Sequence, residues 1–179
     1  QPFPSMPLSF WNDKNHTLYK KTYFKKDSHQ WWHGDYIIID DNGHITMLGR
    51  SDATLNPSGV RIGTAEIYQA LEPLSDIEDS LAIGKQMDND EVIILFVKLT
   101  NHTTLSDTLI STIKKTLKTT CSPRHIPYQI IQAPDIPYTI NGKKVEVLIK
   151  KIINNQNTSH DASVANPDCL AFYKNLNWP

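Results

Sequence analysis

Residues 136–144 read IPYTINGKK, a proline-containing loop that ends in an Asn-Gly pair followed by two lysines. Asn-Gly favours a tight turn, because both residues tolerate the positive backbone angles that such turns need. The apolar residues that follow have the spacing of one helix face: Val145, Leu148, Ile149, Ile152 and Ile153. The pattern therefore places Lys143 on a turn before a packed helix, where its ammonium group can reach a phosphate or carboxylate. A solvated lysine without a ligand is the alternative, and this stretch alone favours it.

Composition narrows the class of protein. The chain has 179 residues, of which 39% are hydrophobic and 21% charged, as in an ordinary globular protein. A net charge of −1 predicts no broad basic surface for nucleic acid, and no apolar run reaches the ~20 residues of a membrane span. Two cysteines and scattered histidines predict free thiols and no metal site. No signal-peptide pattern opens the sequence, so we expect a cytosolic protein.

Hydrophobic periodicity predicts an α+β fold. Short strands are expected at residues 8–11, 19–24, 36–39 and 45–48, the last two joined by a DDNG turn. Further strands are expected at 80–83, 92–97 and 126–131. Between them we expect a helix capped by Thr64, a second helix from Ser106 and a third after Lys143. The strand at 92–97 is almost wholly apolar and therefore central. Residues 154–167 predict a flexible linker, and residues 168–173 a short helix or docked tail.

Three upstream motifs change the interpretation of Lys143. They read GDY at 34–36, GRSD at 49–52 and NPSGVRIGTAEI at 56–67. With IPYTINGKK they form an ordered series that resembles the C-terminal part of the adenylate-forming acyl-CoA synthetases, from residue 31 to residue 153. Each motif is weakly specific, whereas the ordered series is strongly so. The exact residues of these motifs resemble the family members that activate acetoacetate. The same holds for SPRHIP at 122–127 and NPDCLAFYKNL at 166–176.

The resemblance implies three parts. Residues 1–51 would be the β-rich end of a large N-terminal AMP-binding domain, residues 52–153 a mobile C-terminal domain, and residues 154–179 a linker and tail. In this family a Gly-rich phosphate loop and the acyl pocket lie upstream, and the 7 glycines of this chain form no such loop. We therefore expect a fragment that is inactive alone and whose partner is the missing N-terminal domain.

Asp35 and Arg50 are predicted to hold the nucleotide. A carboxylate can accept two hydrogen bonds from vicinal ribose hydroxyls, and the resemblance assigns this role on ATP and AMP to Asp35. It also brings the planar guanidinium of Arg50 to the nucleotide sugar. The alternatives are a turn aspartate bonded to local backbone N–H groups and a surface arginine paired with Asp52 or Glu66.

The resemblance assigns three further roles around the junction of the two domains, to Asp52, Gly59 and Arg61. Asp52 corresponds to the hinge about which the C-terminal domain rotates, although Ala53 stands where the family often has a second aspartate. Gly59 would line the tunnel for the CoA arm, and Arg61 would approach the nucleotide phosphates. Weaker candidates for the CoA phosphates are Lys118 and Arg124. For Asp52 a helix or turn cap is the alternative, and it can coexist with the hinge role. For Gly59 a plain turn glycine is an equal alternative, and for Lys118 the basic end of a helix.

Lys143 is the catalytic candidate. Acid activation brings a carboxylate to the α-phosphate of ATP, and a cation between these two anions offsets their repulsion. The family places this residue directly after the glycine, which favours Lys143 over Lys144. The implied reaction converts ATP, acetoacetate and CoA to AMP, diphosphate and an acyl-CoA, with Mg²⁺ arriving on ATP. The alternatives are an inactive binding module and a fragment of another short-chain enzyme, such as an acetyl-CoA synthetase.

Overall fold

The computed structural model describes residues 4–24, 29–158 and 164–178. The chain divides into two compact units, Gln1–Gly34 and Asp35–Pro179. Within the described ranges, no helix combines the length and the apolar character that crossing a bilayer requires.

A helix, α1 (Thr17–Tyr23), organises the first unit. Its first turn is capped by Asp13, whose carboxylate accepts the backbone N–H groups of Leu18 at 2.8 Å and Tyr19 at 2.7 Å. Tyr19 and Tyr23 lie one turn apart on the same face, and Tyr23 stacks on Trp31 with ring centroids 3.9 Å apart. The strands predicted at 8–11 and 19–24 are wrong. Residues 8–11 form bends, turns and irregular backbone, and at 19–24 capping and one-sided aromatic packing override the β-propensity of the tyrosines.

The second unit begins with an antiparallel hairpin. Its strands are β1 (Asp35–Ile39) and β2 (Ile45–Arg50), and the register pairs Asp35 with Arg50. In the turn, one carboxylate oxygen of Asp40 accepts the N–H groups of Asn42 and His44, which supports the predicted DDNG turn. The hairpin is confirmed, and its register brings Asp35 and Arg50 to the same end.

A three-stranded sheet forms the centre of the second unit. Its order is β3 (Ile77–Met87), β4 (Asp90–Leu99) and β5 (Gln129–Gln132), with β3 and β4 antiparallel and β4 and β5 parallel. β4 is central, as its apolar sequence predicted. β5 starts later than expected, at Gln129, although Tyr128 N–H already donates to the Ile93 carbonyl of β4 at 2.9 Å. Pro127 lies just before this bond, a position near a strand start that tolerates proline.

Helices cover both faces of this sheet. Alternate residues of β4 point in opposite directions, so Leu95 and Val97 face one helix layer while Ile94 and Phe96 face the other. The first layer contains α2 (Thr64–Leu71) and α3 (Asp107–Thr120); the second contains α4 (Glu146–Ile153) and α5 (Leu170–Lys174). The predicted α+β fold is confirmed.

The start of α2 differs in detail from the prediction. Gly63 is the N-cap residue and Thr64 the first helical residue. The Glu66 carboxylate accepts the Gly63 N–H at 2.8 Å, which replaces the expected threonine cap and places a negative charge at the positive helix end.

The carboxyl-terminal residues dock on the second layer. Residues 159–163 of the expected linker lie outside the described residues. Val164 forms an isolated β-bridge with Thr139, so this end of the expected linker is paired with the loop before Lys143. The predicted short helix is present as α5, and Tyr173 is fully buried beside Phe96.

Candidate functional site

A cleft of about 710 Å³ lies in the second unit between the end of the hairpin, the start of α2 and residues 143–148. Four residues singled out from the sequence line it: Asp35, Arg50, Asp52 and Lys143. The first three are at the β1–β2 end and Lys143 comes from a turn 91 residues after Asp52 in sequence. The fold therefore brings the predicted nucleotide, hinge and catalytic residues to one place.

Arg50 lies between two carboxylates. Its guanidinium is 3.5 Å from Asp35 Oδ1 and 3.3 Å from Asp52 Oδ1. The side chain of Arg50 is half exposed, so these ion pairs contribute little to stability. Their consequence is geometric: they hold the guanidinium beside the Asp35 carboxylate, which is itself mostly buried. Arg50 therefore forms the ion pair with Asp52 that was the alternative to nucleotide binding, and it also lines the cleft.

A tight turn fixes the backbone of Lys143. Gly142 has a φ of +73°, which a glycine adopts at little cost, and its N–H donates to the Thr139 carbonyl at 2.9 Å. Thr139 N–H donates to the Lys143 carbonyl at 2.8 Å, and the Lys143 N–H donates to Thr139 Oγ1 at 3.2 Å. The Lys143 side chain is exposed at the cleft, and no described group forms an ion pair or hydrogen bond with its ammonium.

Lys144 has a different environment. Its Nζ lies 2.6 Å from Asp79 Oδ1, donates to the Ser80 carbonyl at 2.7 Å and lies 3.9 Å from the Tyr68 ring centroid. A lysine with an ion pair, a hydrogen bond and a cation–π contact is held to the protein. The two adjacent lysines are thus separated by structure, with Lys143 available to a ligand and Lys144 joined to β3.

Tyr68 and Glu146 also line the cleft, and sequence reasoning missed both. The Tyr68 hydroxyl donates to Glu146 Oε1 at 2.6 Å and accepts the Ala82 N–H at 3.2 Å. Burial raises the pKa of Glu146, and hydrogen bonds from Tyr68 and Thr64 only partly offset it. Burial also raises the pKa of Tyr68 well above its ordinary value, with the Glu146 charge adding to the effect. The sequence feature that could have pointed to Glu146 is its position two residues after Lys144, in the first turn of the helix.

The other predicted residues do not line this cleft. Gly59 has a φ of +77° in the turn Pro57–Gly59, which Asp90 holds by accepting the N–H and hydroxyl of Ser58 at 2.8 and 2.9 Å. These bonds lower the pKa of Asp90, and the nearby charge of Arg124 contributes.

Arg61 and Lys118 do not line the cleft either. The Arg61 guanidinium lies 5.8 Å from the centroid of the Tyr36 ring. Lys118 is exposed in the last turn of α3, where a cation is favourable at the negative helix end. Within the described ranges, no three His, Cys, Asp or Glu side chains are arranged to hold a metal ion.

Comparison with known proteins identifies relatives along nearly the whole chain, although no protein-family model matches it. Acetoacetyl-CoA synthetase of Xenopus tropicalis is 44% identical over 178 residues, which are 98% of this chain and 26% of the relative. Acetoacetyl-coenzyme A synthetase of Rhizobium meliloti (strain 1021) is 40% identical over 174 residues, or 97% of this chain and 27% of the relative. The chain thus spans about a quarter of the length of these relatives.

A solved structure agrees with the sequence relatives. Acetoacetyl-CoA synthetase from Streptomyces lividans superposes with a TM-score of 0.86 at 40% identity, over 97% of this chain and 26% of that chain. The similarity covers the hairpin, the sheet and the helices on both faces. Over about a quarter of their length, this chain is therefore a homologue of the acetoacetyl-CoA synthetases, which are ligases, and it has the adenylate-forming acyl-CoA ligase fold of that region.

Proposed function

We propose that this chain is the lysine-bearing C-terminal part of an acetoacetate–CoA ligase. The reaction joins acetoacetate to AMP with release of diphosphate, and CoA then displaces AMP to give acetoacetyl-CoA. The observation that carries this proposal is the convergence of Asp35, Arg50 and Lys143 on one cleft. The proposal also draws on the identity of 44% to an acetoacetyl-CoA synthetase.

In the first half-reaction, the Asp35 carboxylate accepts hydrogen bonds from the ribose hydroxyls of ATP. Arg50, held between two carboxylates, braces the sugar from the other side. Lys143 contributes a positive charge where the acetoacetate carboxylate meets the α-phosphate. Because the described residues leave its ammonium without a protein partner, binding these anions breaks no existing ion pair. ATP brings Mg²⁺, which neutralises the diphosphate that leaves.

In the second half-reaction, residues 52–153 rotate about Asp52 and present a different face to the acyl-adenylate. We assign Gly59 and Arg124 to the CoA side, since Asp90 holds the turn that contains Gly59 and the charge of Arg124 acts on Asp90. Lys118 is a weaker candidate for the CoA phosphates, and Arg61 for the nucleotide phosphates. In this structure the hairpin and the sheet belong to one compact unit. The domain boundary between residues 51 and 52 is therefore part of the proposal. We place the reaction in the cytosol, with the upstream AMP-binding domain as partner.

The test is a hybrid enzyme. This chain replaces the matching quarter of the Streptomyces lividans acetoacetyl-CoA synthetase, and acetoacetate-dependent exchange of labelled diphosphate into ATP is measured. We expect exchange in the hybrid and none from this chain alone, because relatives carry about three-quarters of their length outside the match. Loss of exchange in a folded hybrid would favour an inactive binding module. A second hybrid joins this chain to the upstream part of an acetyl-CoA synthetase. Greater diphosphate exchange in that hybrid than in the S. lividans hybrid would favour the acetyl-CoA synthetase class instead.

A further inference from the structure

The backbone segment 137–139, which leads into the Lys143 turn, is paired on both sides. On the inner side, Thr139 N–H donates to the Lys143 carbonyl at 2.8 Å and Val145 N–H donates to the Pro137 carbonyl at 3.1 Å. On the outer side, Val164 forms a β-bridge with Thr139, and Ala165 N–H donates to the Tyr138 carbonyl at 2.8 Å. The outer partner comes from the tail, so residues 164–165 pair with the loop through one β-bridge and its neighbouring hydrogen bond.

Asn166 bonds the tail to the loop through its side chain. Its Oδ1 accepts the Tyr138 N–H at 3.0 Å, and its Nδ2 donates to the Ile136 carbonyl at 2.8 Å and to an Asp135 carboxylate oxygen at 2.5 Å. The oxygen and the NH2 group of one side-chain amide thus bond to backbone groups of two residues and to the carboxylate of a third. Removing this side chain would leave a part-buried donor and acceptor without these partners.

The tail is itself anchored in the core. Tyr173 is 1% exposed, its ring centroid lies 4.9 Å from that of Phe96, and its hydroxyl donates to the Asp135 carbonyl at 2.8 Å. Lys98 lies 3.1 Å from the Asp135 carboxylate. Burial raises the pKa of Asp135, but hydrogen bonds from Asn166 and Lys98 outweigh it, so the net pKa is lowered and the anion persists. Core packing therefore fixes both ends of the contact between tail and loop.

We propose that the tail segment 164–173 positions Lys143 for adenylation, with Asn166 as the central positioning residue. This inference rests on the proposed function of Lys143. The lysine ammonium has no protein partner among the described groups, so its location depends on the backbone of the turn. That backbone follows directly after Tyr138 and Thr139, and the tail residues Val164 and Ala165 pair with these two residues. Small displacements of a catalytic group cost much of its effect.

Amide hydrogen exchange on this chain tests the contact without any assay of activity. Asn166→Ala should raise exchange on the order of tenfold at the N–H groups of Thr139, Gly142 and Val145. The matched control is Asn154→Ala, whose side chain bonds the end of α4 to β3 through Gly84 and Gln86. The control should raise exchange near Gln86 and leave the Lys143 turn unchanged. Unaltered exchange at the turn in Asn166→Ala would overturn the proposal.

The two half-reactions in the hybrid enzyme test the catalytic consequence. Asn166→Ala should lower diphosphate exchange about ten- to a hundredfold. It should spare CoA transfer from supplied acetoacetyl-adenylate, because Lys143 acts only in adenylation. In a Lys143→Ala background, Asn166→Ala should cause no further loss, since it acts through that lysine. A purely structural asparagine would lower both half-reactions together and add its effect to Lys143→Ala, and either result rejects positioning.

The proposed function fails in a distinguishable way. If Lys143→Ala leaves diphosphate exchange intact, the lysine has no role in adenylation and the positioning role falls with it. The amide exchange data would then still show whether the tail orders the turn, which separates a wrong contact from a wrong reaction.

Discussion

Lys144 Nζ lies 2.6 Å from Asp79 Oδ1, and both side chains are largely buried, at 23% and 20% exposure. The adjacent Lys143 is exposed in the cleft. Two neighbouring residues of one type therefore have different tasks: Lys144 joins the loop to β3, while Lys143 remains available to a ligand.

This difference predicts opposite effects for two alanine substitutions. Lys143→Ala should leave the free energy of unfolding within about 0.5 kcal/mol of the parent. In the hybrid enzyme it should lower diphosphate exchange by ~10²–10³, and spare CoA transfer from supplied acyl-adenylate. Lys144→Ala should lower the free energy of unfolding by about 1–3 kcal/mol, because Asp79 loses its cation. Chemical denaturation and the two assays measure these effects. A silent Lys143→Ala beside a Lys144→Ala that stops adenylation would move the catalytic assignment by one residue.

The Glu146 carboxyl predicts a pH dependence of stability. Its pKa is raised above the ordinary 4.5 by burial, so the folded state binds a proton that the unfolded state has already released. The stabilisation is complete below the unfolded pKa and is lost as pH rises through the folded pKa. Glu146→Gln keeps an acceptor for the Tyr68 hydroxyl but cannot ionise. The stability of the Gln variant relative to the parent should therefore increase as pH rises from about 4.5.

Urea unfolding of both proteins between pH 4 and pH 8 measures this difference. Tyr68→Phe is a useful companion, since it removes the hydroxyl that donates to Glu146 and should raise the pKa of the carboxyl further. A constant difference between Glu146→Gln and the parent across this range would show that the carboxyl does not titrate on folding.

Substitutions at Asp52 distinguish a hinge from a turn. Proline fixes φ near −65° and removes the backbone donor, so Asp52→Pro should trap one arrangement of the hybrid enzyme. One half-reaction should persist while the other falls by a large factor. Asp52→Ala is the control, because it removes the ion pair with Arg50 and leaves the backbone free. Equal loss of both half-reactions in Asp52→Pro, with unchanged thermal stability, would favour a plain turn.

Gly63 predicts a packing effect at the cleft edge. A Cβ atom added there would overlap the carbonyl oxygen of Leu48 and lie 2.6 Å from the Leu48 Cβ. Gly63→Ala should therefore lower the free energy of unfolding by about 1–3 kcal/mol, because the hairpin must move away from α2. At Gly43 a Cβ meets open space but the φ is +83°, so Gly43→Ala should cost only about 1 kcal/mol of backbone strain. Thermal unfolding compares them, and an unperturbed Gly63→Ala would mean that the hairpin yields freely.

Much of the fold follows from local sequence. The hairpin of β1 and β2, the central position of β4, and helices α3 and α4 have patterns that short-range physics explains: a turn signal, an apolar run and helical spacing. The failures lie where local preference met another interaction. Residues 19–24 have tyrosine-rich strand character, but the cap from Asp13 and the stacking on Trp31 make a helix there.

By itself, the sequence determined the kinds of residue available for chemistry and the order of the motifs, because turn, cap and period are properties of neighbouring residues. Only the tertiary structure decided that Lys144, and not Lys143, pairs with Asp79, that Tyr68 and Glu146 share the cleft, and that Asn166 bonds the tail to Tyr138. Each of these contacts joins residues at least 28 positions apart. Their formation depends on how two helix layers pack on one sheet, which no local pattern specifies.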